Sequence, residues 1–323
     1  MENEREQAIH FFENDEIKCI ALMEQLLRSA ENIFVLEKTE TESENDEVEC
    51  SETKSFCALF FLRNNSTLFH YIPEVTFDII KSEQIENDEN QNLQKDQIKN
   101  NISDFINNLN LFCIYGISDG TKYIESLLNQ KLIKANDYNL MLHNKEKFFE
   151  IENNFDKKTK EKMQTNNSGL LISQTVRLCS QEDCDLLLEL ERGYRKEEVQ
   201  ITEHDESDAV IKYILNNSLL NQIVYSLVEK KILSETAVAK AATNARGKEY
   251  YQIGGVYCKK EYRGKGNCFT VMFHLIKKIY ELNKKPVLFV KTINKRAQHL
   301  YDQLGFYQVG NFRISYFEKK AVN

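Results

Sequence analysis

The strongest constraint in this 323-residue chain is a short glycine turn set between an apolar strand pattern and an amphipathic helix pattern. The strand pattern is Tyr251-Gln252-Ile253-Gly254-Gly255-Val256-Tyr257-Cys258, and the turn is Arg263-Gly264-Lys265-Gly266-Asn267-Cys268. Glycine enters the left-handed backbone region without a Cβ penalty, so such a turn can converge backbone N–H groups at the start of a helix. Those N–H groups and the helix dipole favour an anion, which points to a phosphate-bearing ligand. Downstream, Cys268, Val271, Met272, Leu275, Ile276, Ile279 and Leu282 fall on one helical face. Pro286 then precedes Val287-Leu288-Phe289-Val290, an unbroken apolar run that suits a central parallel strand. Asn294 can cap a further helix carrying Ala297, Leu300, Tyr301 and Leu304, which Gly305 ends. This order predicts a βαβα unit with its ligand at the carboxyl ends of the strands.

The turn is neither of the familiar nucleotide loops. It lacks the Lys-Ser/Thr of a P-loop and the third glycine of a dinucleotide fingerprint. Taken with its neighbours it resembles the pyrophosphate loop of the GNAT superfamily of acyl-CoA-dependent N-acyltransferases, Q/R-x-x-G-x-G/A. The family's following signature of Asn, Ala, Leu-Tyr and Gly-Phe is matched by Asn294, Ala297, Leu300-Tyr301 and Gly305-Phe306. The resemblance covers about 70 residues strongly and extends from about residue 170 onward. It implies an α/β (α+β) fold with a mixed, mostly antiparallel twisted sheet flanked by helices.

The resemblance also implies roles. Val256, Tyr257 and Cys258 would offer backbone groups to the pantetheine arm and acyl carbonyl. Arg263, Gly264, Lys265, Gly266, Asn267, Cys268 and Phe269 would hold the pyrophosphate, and Asn294 would reach the far end of the pantetheine arm. Tyr301 would protonate the leaving thiolate as general acid, since a phenol with a pKa near ~10 is neutral at working pH. A backbone N–H around Val256 or Tyr257 would meet the oxyanion. Two departures stand out. The motif's last small residue is Cys268, and the two positions where the family carries a general base hold Gln252 and Phe289. Gln252 could orient a water, or Glu197 or Glu198 could reach the site from a helical lid; Glu198 is the candidate base. Acetyl-CoA is the implied acyl donor, with no metal, and the partner is a small-molecule or peptide amine. A non-catalytic acyl-CoA sensor is one rival, and an interaction protein, an assembly module in which only the first domain matters, is the other.

Other residues have plainer readings. Cys258 and Cys268 read as packing residues, and His274 and His299 as surface residues. Tyr194 suits either a lid aromatic or a buried anchor.

Upstream, the apolar spacing predicts helices over 4–29, broken near Asn14-Asp15. A strand at 32–36 and a strand–turn–strand over 55–72 follow. Glu40 to Glu52 is acidic and reads as a solvated loop. Residues 85–101 read as a mobile loop running into a helix. A strand at 111–115, a helix from about Gly120 to Ile133 and a strand at 138–142 complete the half. The polar stretch 145–168 reads as the boundary between domains 1–165 and 170–323. Past it come a strand at 171–178, a helix that Ser180 can cap, a second helix at 207–216, and strands at 223–228 and 236–242. Both halves show nearly the same order of elements, so the first reads as a degenerate copy of the second. Its turn, Gly116-Ile117-Ser118-Asp119-Gly120, has no basic residue and carries an acid where phosphate would sit.

A net charge of −8 argues against a nucleic-acid footprint, which needs a basic face. The eight cysteines show no zinc spacing. No apolar run approaches the ~18 residues of a membrane span. Reduced thiols and no export signal behind Met1 suggest the cytoplasm.

Overall fold

The computed structural model describes residues 2–29, 31–41, 52–81, 89–154, 173–199, 206–232 and 234–320. Most of the acidic stretch at 40–52, the start of the polar stretch at 85–101 and most of the stretch at 145–168 lie outside them. No helix among the described residues is long and apolar enough to cross a membrane.

The chain divides into two compact units, one of residues 1–139 with 310–323 and the other of 140–309. The sequence expectation placed the division at 165–170 with the C-terminus in the second domain. The difference lies in two long strands. β5 (Leu132–His143) and β11 (Phe306–Phe317) both run across the division, so the chain crosses it within regular structure and without a polar linker.

The first unit opens with α1 (Glu2–Phe12) and α2 (Ile20–Arg28), separated by a 3-10 turn at Glu13–Lys18 where the sequence predicts a break. β1 (Ile33–Thr41), β2 (Glu52–Arg63) and β3 (Thr67–Tyr71) pair antiparallel in order. β4 (Cys113–Ile117) lies parallel to β3 and antiparallel to Phe312–Tyr316 of β11. Two helices make the crossover, α3 (Glu74–Lys81) and α4 (Glu89–Asn107). α4 is helical over most of the stretch expected as a loop. Its polar sequence hides three isoleucines one turn apart, Ile98, Ile102 and Ile106, all fully buried. α5 (Ser118–Leu127) is shorter than expected, because the chain turns at 128–131 and Leu132 already begins β5. Gln130 fixes that turn by binding both the N–H and the C=O of Leu111.

The second unit includes, near its start, a helix at 145–154 (α6), where sequence composition suggested a linker. Phe148 of this helix stacks on Phe273. β6 (Ser173–Leu178), β7 (Val224–Lys231), β8 (Ser234–Arg246) and β9 (Tyr250–Cys258) pair antiparallel in order. α7 (Cys184–Tyr194) and α8 (Asp208–Asn221) connect β6 to β7, and a π-helical turn at Arg195–Val199 continues α7. Arg177 and the Ser180–Asp183 capping box hold the start of this helical segment. α9 (Asn267–Glu281) carries the chain to β10 (Lys285–Lys291), parallel to β9, and α10 (Lys295–Leu304) follows. The predicted stripe of α9 buries Val271, Met272, Leu275, Ile276 and Ile279 against the sheet. From α1 and α7 onward the two units run through the same order: two helices, three antiparallel strands, a crossover, a parallel strand, a helix and a strand.

Candidate functional site

The site begins where β9 loses its neighbours. Its parallel pairing with β10 ends at Ile253–Leu288, although both strands continue. On the other side the register with β8 slips between Lys240 and Ala242. Gly255 sits in that slip with φ +58°, a value an L side chain rarely adopts. Its carbonyl accepts from Lys240 Nζ at 2.9 Å. Lys240 is only 2 % exposed, its ammonium is paired with Glu191 at 2.8 Å, and it lies 4.8 Å from the Tyr194 ring. A buried ammonium thus pins the irregular backbone one residue before Val256.

The chain then turns through Gly264 and Gly266, with φ +76° and +80°, and a Cβ on either glycine would meet nothing within 4 Å. Gly266 is the N-cap of α9, whose start has no side-chain cap and no acid in its first turn. Its end therefore presents backbone donors outward. Asn267 Nδ2 ties the turn back to the Tyr262 carbonyl at 2.9 Å. Arg263 Nε donates to the Cys258 carbonyl at 2.9 Å, and its Nη2 donates to both Glu197 oxygens at 3.0 and 2.8 Å. Tyr257 also donates to Glu197 at 2.9 Å. Partial burial works to raise the Glu197 pKa, but Arg263, Tyr257 and Lys260 outweigh it and hold the carboxyl below its ordinary range. Burial and the Glu197 contact together push the Tyr257 phenol up to about 12.

Opposite the turn, Asn294 accepts from the Ala297 N–H at 3.1 Å and so caps α10, as expected. Its Nδ2 lies 3.4 Å from Glu198 Oε1, while Lys291 Nζ reaches Glu198 Oε2 at 2.9 Å. Tyr301, two helical turns further along, is 8 % exposed and packs edge-on to Phe306. Burial is the main cause that raises its pKa, with Cys268, Tyr194 and Glu198 adding to it. The phenol is therefore a secure proton carrier at neutral pH.

These parts enclose a cleft of about 490 Å³. Val256, Tyr257 and Cys258 line it, as do Arg263, Gly264, Gly266, Asn267, Cys268 and Phe269, and Asn294 and Tyr301 close the far side. Glu197 and Glu198 both line it too. One expected residue does not: Lys265 turns out to the Glu261 carbonyl at 3.1 Å and the Tyr262 ring. Gln252 and Phe289 do not line the cleft either. Tyr194 packs beside the core cluster of α7 and α8 instead of the cleft. His299 is exposed and edges the cleft, with Gln303 at 3.1 Å. The Cys268 thiol contacts Cys258, whose pKa falls through that contact and through Arg263 and Arg296.

Sequence reasoning missed Arg296, which adds a second guanidinium to the cleft from the first turn of α10. Its position two residues past the capping Asn294 was the available signal. It also missed the Glu197–Arg263 pair, for which adjacency in sequence offers no sign.

A parallel strand pair that separates over an uncapped helix start is, in an α/β protein, a geometry suited to an anion-bearing ligand. Residues 232–314 match the FR47-like protein family. No curated protein matches the sequence. Among solved structures, a Drosophila malonogaster protein is 9% identical over 81% of this chain and 73% of its own, with a TM-score of 0.50. A GCN5-related N-acetyltransferase-like protein from Streptococcus suis is 12% identical over 98% of this chain and 99% of its own, with a TM-score of 0.49. An acetyltransferase of the GNAT family from Colwellia psychrerythraea is 11% identical over 82% of each chain, with a TM-score of 0.46.

Proposed function

We propose that the protein transfers an acetyl group from acetyl-CoA to a primary amine of a small molecule or peptide. The observation that carries this reading is the meeting, in one cleft, of the uncapped α9 start with the buried Tyr301 phenol. The first suits a pyrophosphate. The second suits a leaving thiolate.

In this reading the neutral amine attacks the thioester carbonyl directly. Backbone N–H groups at Val256 or Tyr257 receive the oxyanion, beside the peptide that Lys240 holds through the Gly255 carbonyl. Tyr301 gives its proton to the departing thiolate. Glu198 takes the proton from the amine. Of the two carboxylates in the cleft it has the fewer contacts, with Lys291 on one oxygen and Asn294 at 3.4 Å from the other, whereas Glu197 has both oxygens bound by Arg263 and one also by Tyr257. Arg263 and Arg296 add positive charge beside the turn for the phosphates.

Acetyl-CoA should raise the melting temperature of the wild type. Gly266→Glu places a carboxylate at the α9 start and should abolish that rise. A wild type with no rise at saturating acetyl-CoA would remove the cofactor assignment. A second reading, a non-catalytic acyl-CoA sensor, is favoured by Gln252 and Phe289 standing where the family carries its base. Thiol release measured across polyamines, amino acids, aminoglycosides and peptides separates the two. Tyr301→Phe should lower turnover by about tenfold or more and leave the acetyl-CoA shift in place. Shift without turnover on any amine would favour the sensor.

A further inference from the structure

The first unit has a cleft of its own, of about 250 Å³, that the acetyl-transfer reading does not use. It lies where β3 and β4 end, between α3 and the start of α5. Its floor is His70, only 2 % exposed. Nε2 lies 2.9 Å from Thr121 Oγ1, while Nδ1 is buried and has no hydrogen-bond partner among the described residues. Burial pulls the ring's pKa down to about 3, so it is neutral and Nδ1 offers one donor or one acceptor. An orphaned buried polar atom is destabilising, and a bound group can relieve it. The bare edge of the ring faces Gly120. A Cβ there would lie 2.5 Å from Cε1, 3.1 Å from Nδ1 and 3.4 Å from Phe77 Cζ. Gly120 and Phe77 both line the cleft.

The charges around it are unevenly matched. Lys18 is taken by Asp15 at 2.9 Å and Lys81 by Asp119 at 3.1 Å. Glu74 and Asp78, one turn apart on the exposed face of α3, have no partner among the described residues. The uncompensated charge is therefore negative. The Phe77 ring already accepts a cation, with Lys81 Nζ 5.2 Å from its centroid. The cleft is smaller than the ~300–1,000 Å³ of pockets for drug-sized ligands.

We propose that this cleft binds a small alkylammonium ligand, with Glu74 and Asp78 meeting its charge, Phe77 its alkyl chain and His70 Nδ1 an N–H. An ammonium offers only donors, so Nδ1 acts as acceptor and Nε2–H donates to Thr121.

Calorimetric titration of the full chain with putrescine tests this, with butyrate as the anionic control. Saturable binding of putrescine is expected, weakened at least tenfold by Glu74→Gln with Asp78→Asn, and abolished by Gly120→Ala. Each variant should keep the acetyl-CoA melting shift, so a failure of the acetyl-transfer reading shows separately. Should Gly120→Ala not fold, the two exposed α3 positions decide alone. Absence of putrescine binding, binding unchanged in the α3 double variant, or butyrate binding as strongly as putrescine would overturn the proposal.

Discussion

The two units run through the same order of elements and spend their glycines on opposite tasks. In the second unit Gly264 and Gly266 take positive φ, and nothing lies within 4 Å of where their Cβ atoms would be. They open space for something outside the chain. In the first unit the corresponding turn also has two glycines, but Cβ atoms at Gly116 and Gly120 would come within 1.9 Å and 2.5 Å of the His70 ring. Those glycines are filled by a side chain of the unit itself. Asp119 in the first turn of α5 then occupies the end that α9 leaves without an acid. One topology can therefore keep a helix start for a ligand or close it with its own residues, and the choice is made by a few side chains.

A second contrast concerns buried charge. The second unit buries Lys240 with Glu191, and the pair is fully engaged. Replacing Lys240 by Met would leave Glu191 with Arg195 at 4.0 Å as its ion-pair contact and free the Gly255 carbonyl. Breaking a buried pair in this way should cost about 3–5 kcal/mol. Lys81→Met in the first unit removes an exposed pair and should cost about 1 kcal/mol or less. Urea unfolding monitored at equilibrium checks both. Equal losses would mean that Lys240 is not the anchor of the β9 irregularity.

The next test addresses the glycines directly. Gly116→Ala drives a methyl into the His70 ring, and overpacking of this kind costs about 1–3 kcal/mol. His70→Ala in the same chain should recover part of the loss, because the obstruction is gone. Gly264→Ala meets no obstruction and carries only the strain of its positive φ, about 1–2 kcal/mol. If Gly116→Ala needs no compensation from His70→Ala, the ring does not sit where the glycines were said to seat it.

These contrasts mark where the sequence was legible. The α9 stripe from Val271 to Ile279, the Asn294 cap and the glycine turn are local patterns, and each stands where the spacing predicted it. Leu282, at the end of the stripe, lies past the helix and is exposed. β11 was not read, since Gln308, Gly310, Asn311, Arg313 and Ser315 break its apolar run and its partner β4 is remote in sequence. α4 was read short because three isoleucines among many polar residues make a thin stripe. The unit boundary was misplaced because it runs through two strands, where composition changes nothing. Of the residues expected on the cofactor side, only Lys265 does not line the cleft. The partners of Arg263 and Glu198 were not read, because Glu197 and Lys291 meet them through tertiary structure.

The smallest expected effect compares the units through one buried histidine each. Burial lowers the pKa of His70 to about 3, and that of His143 to about 4 despite its contact with the Leu304 carbonyl. His143 is 2.8 Å from both the Tyr280 hydroxyl and that carbonyl. A histidine in the unfolded chain titrates near ~6.5, so below that value the unfolded state binds protons that the folded state refuses. Stability contributed by each neutral ring is present above pH ~6.5 and declines as pH falls towards the folded value. Between pH 7 and 5.5 the loss should be about 1 kcal/mol per histidine. His143→Gln should remove the part of this slope that belongs to the second unit, and His70→Gln the part that belongs to the first. Hydrogen exchange at pH 7 and 5.5, read separately for amides of β3 and of β9, resolves the two. If one substitution flattened the slope in both sets of amides, the two units would unfold as a single cooperative body, and their different use of one topology would not extend to stability.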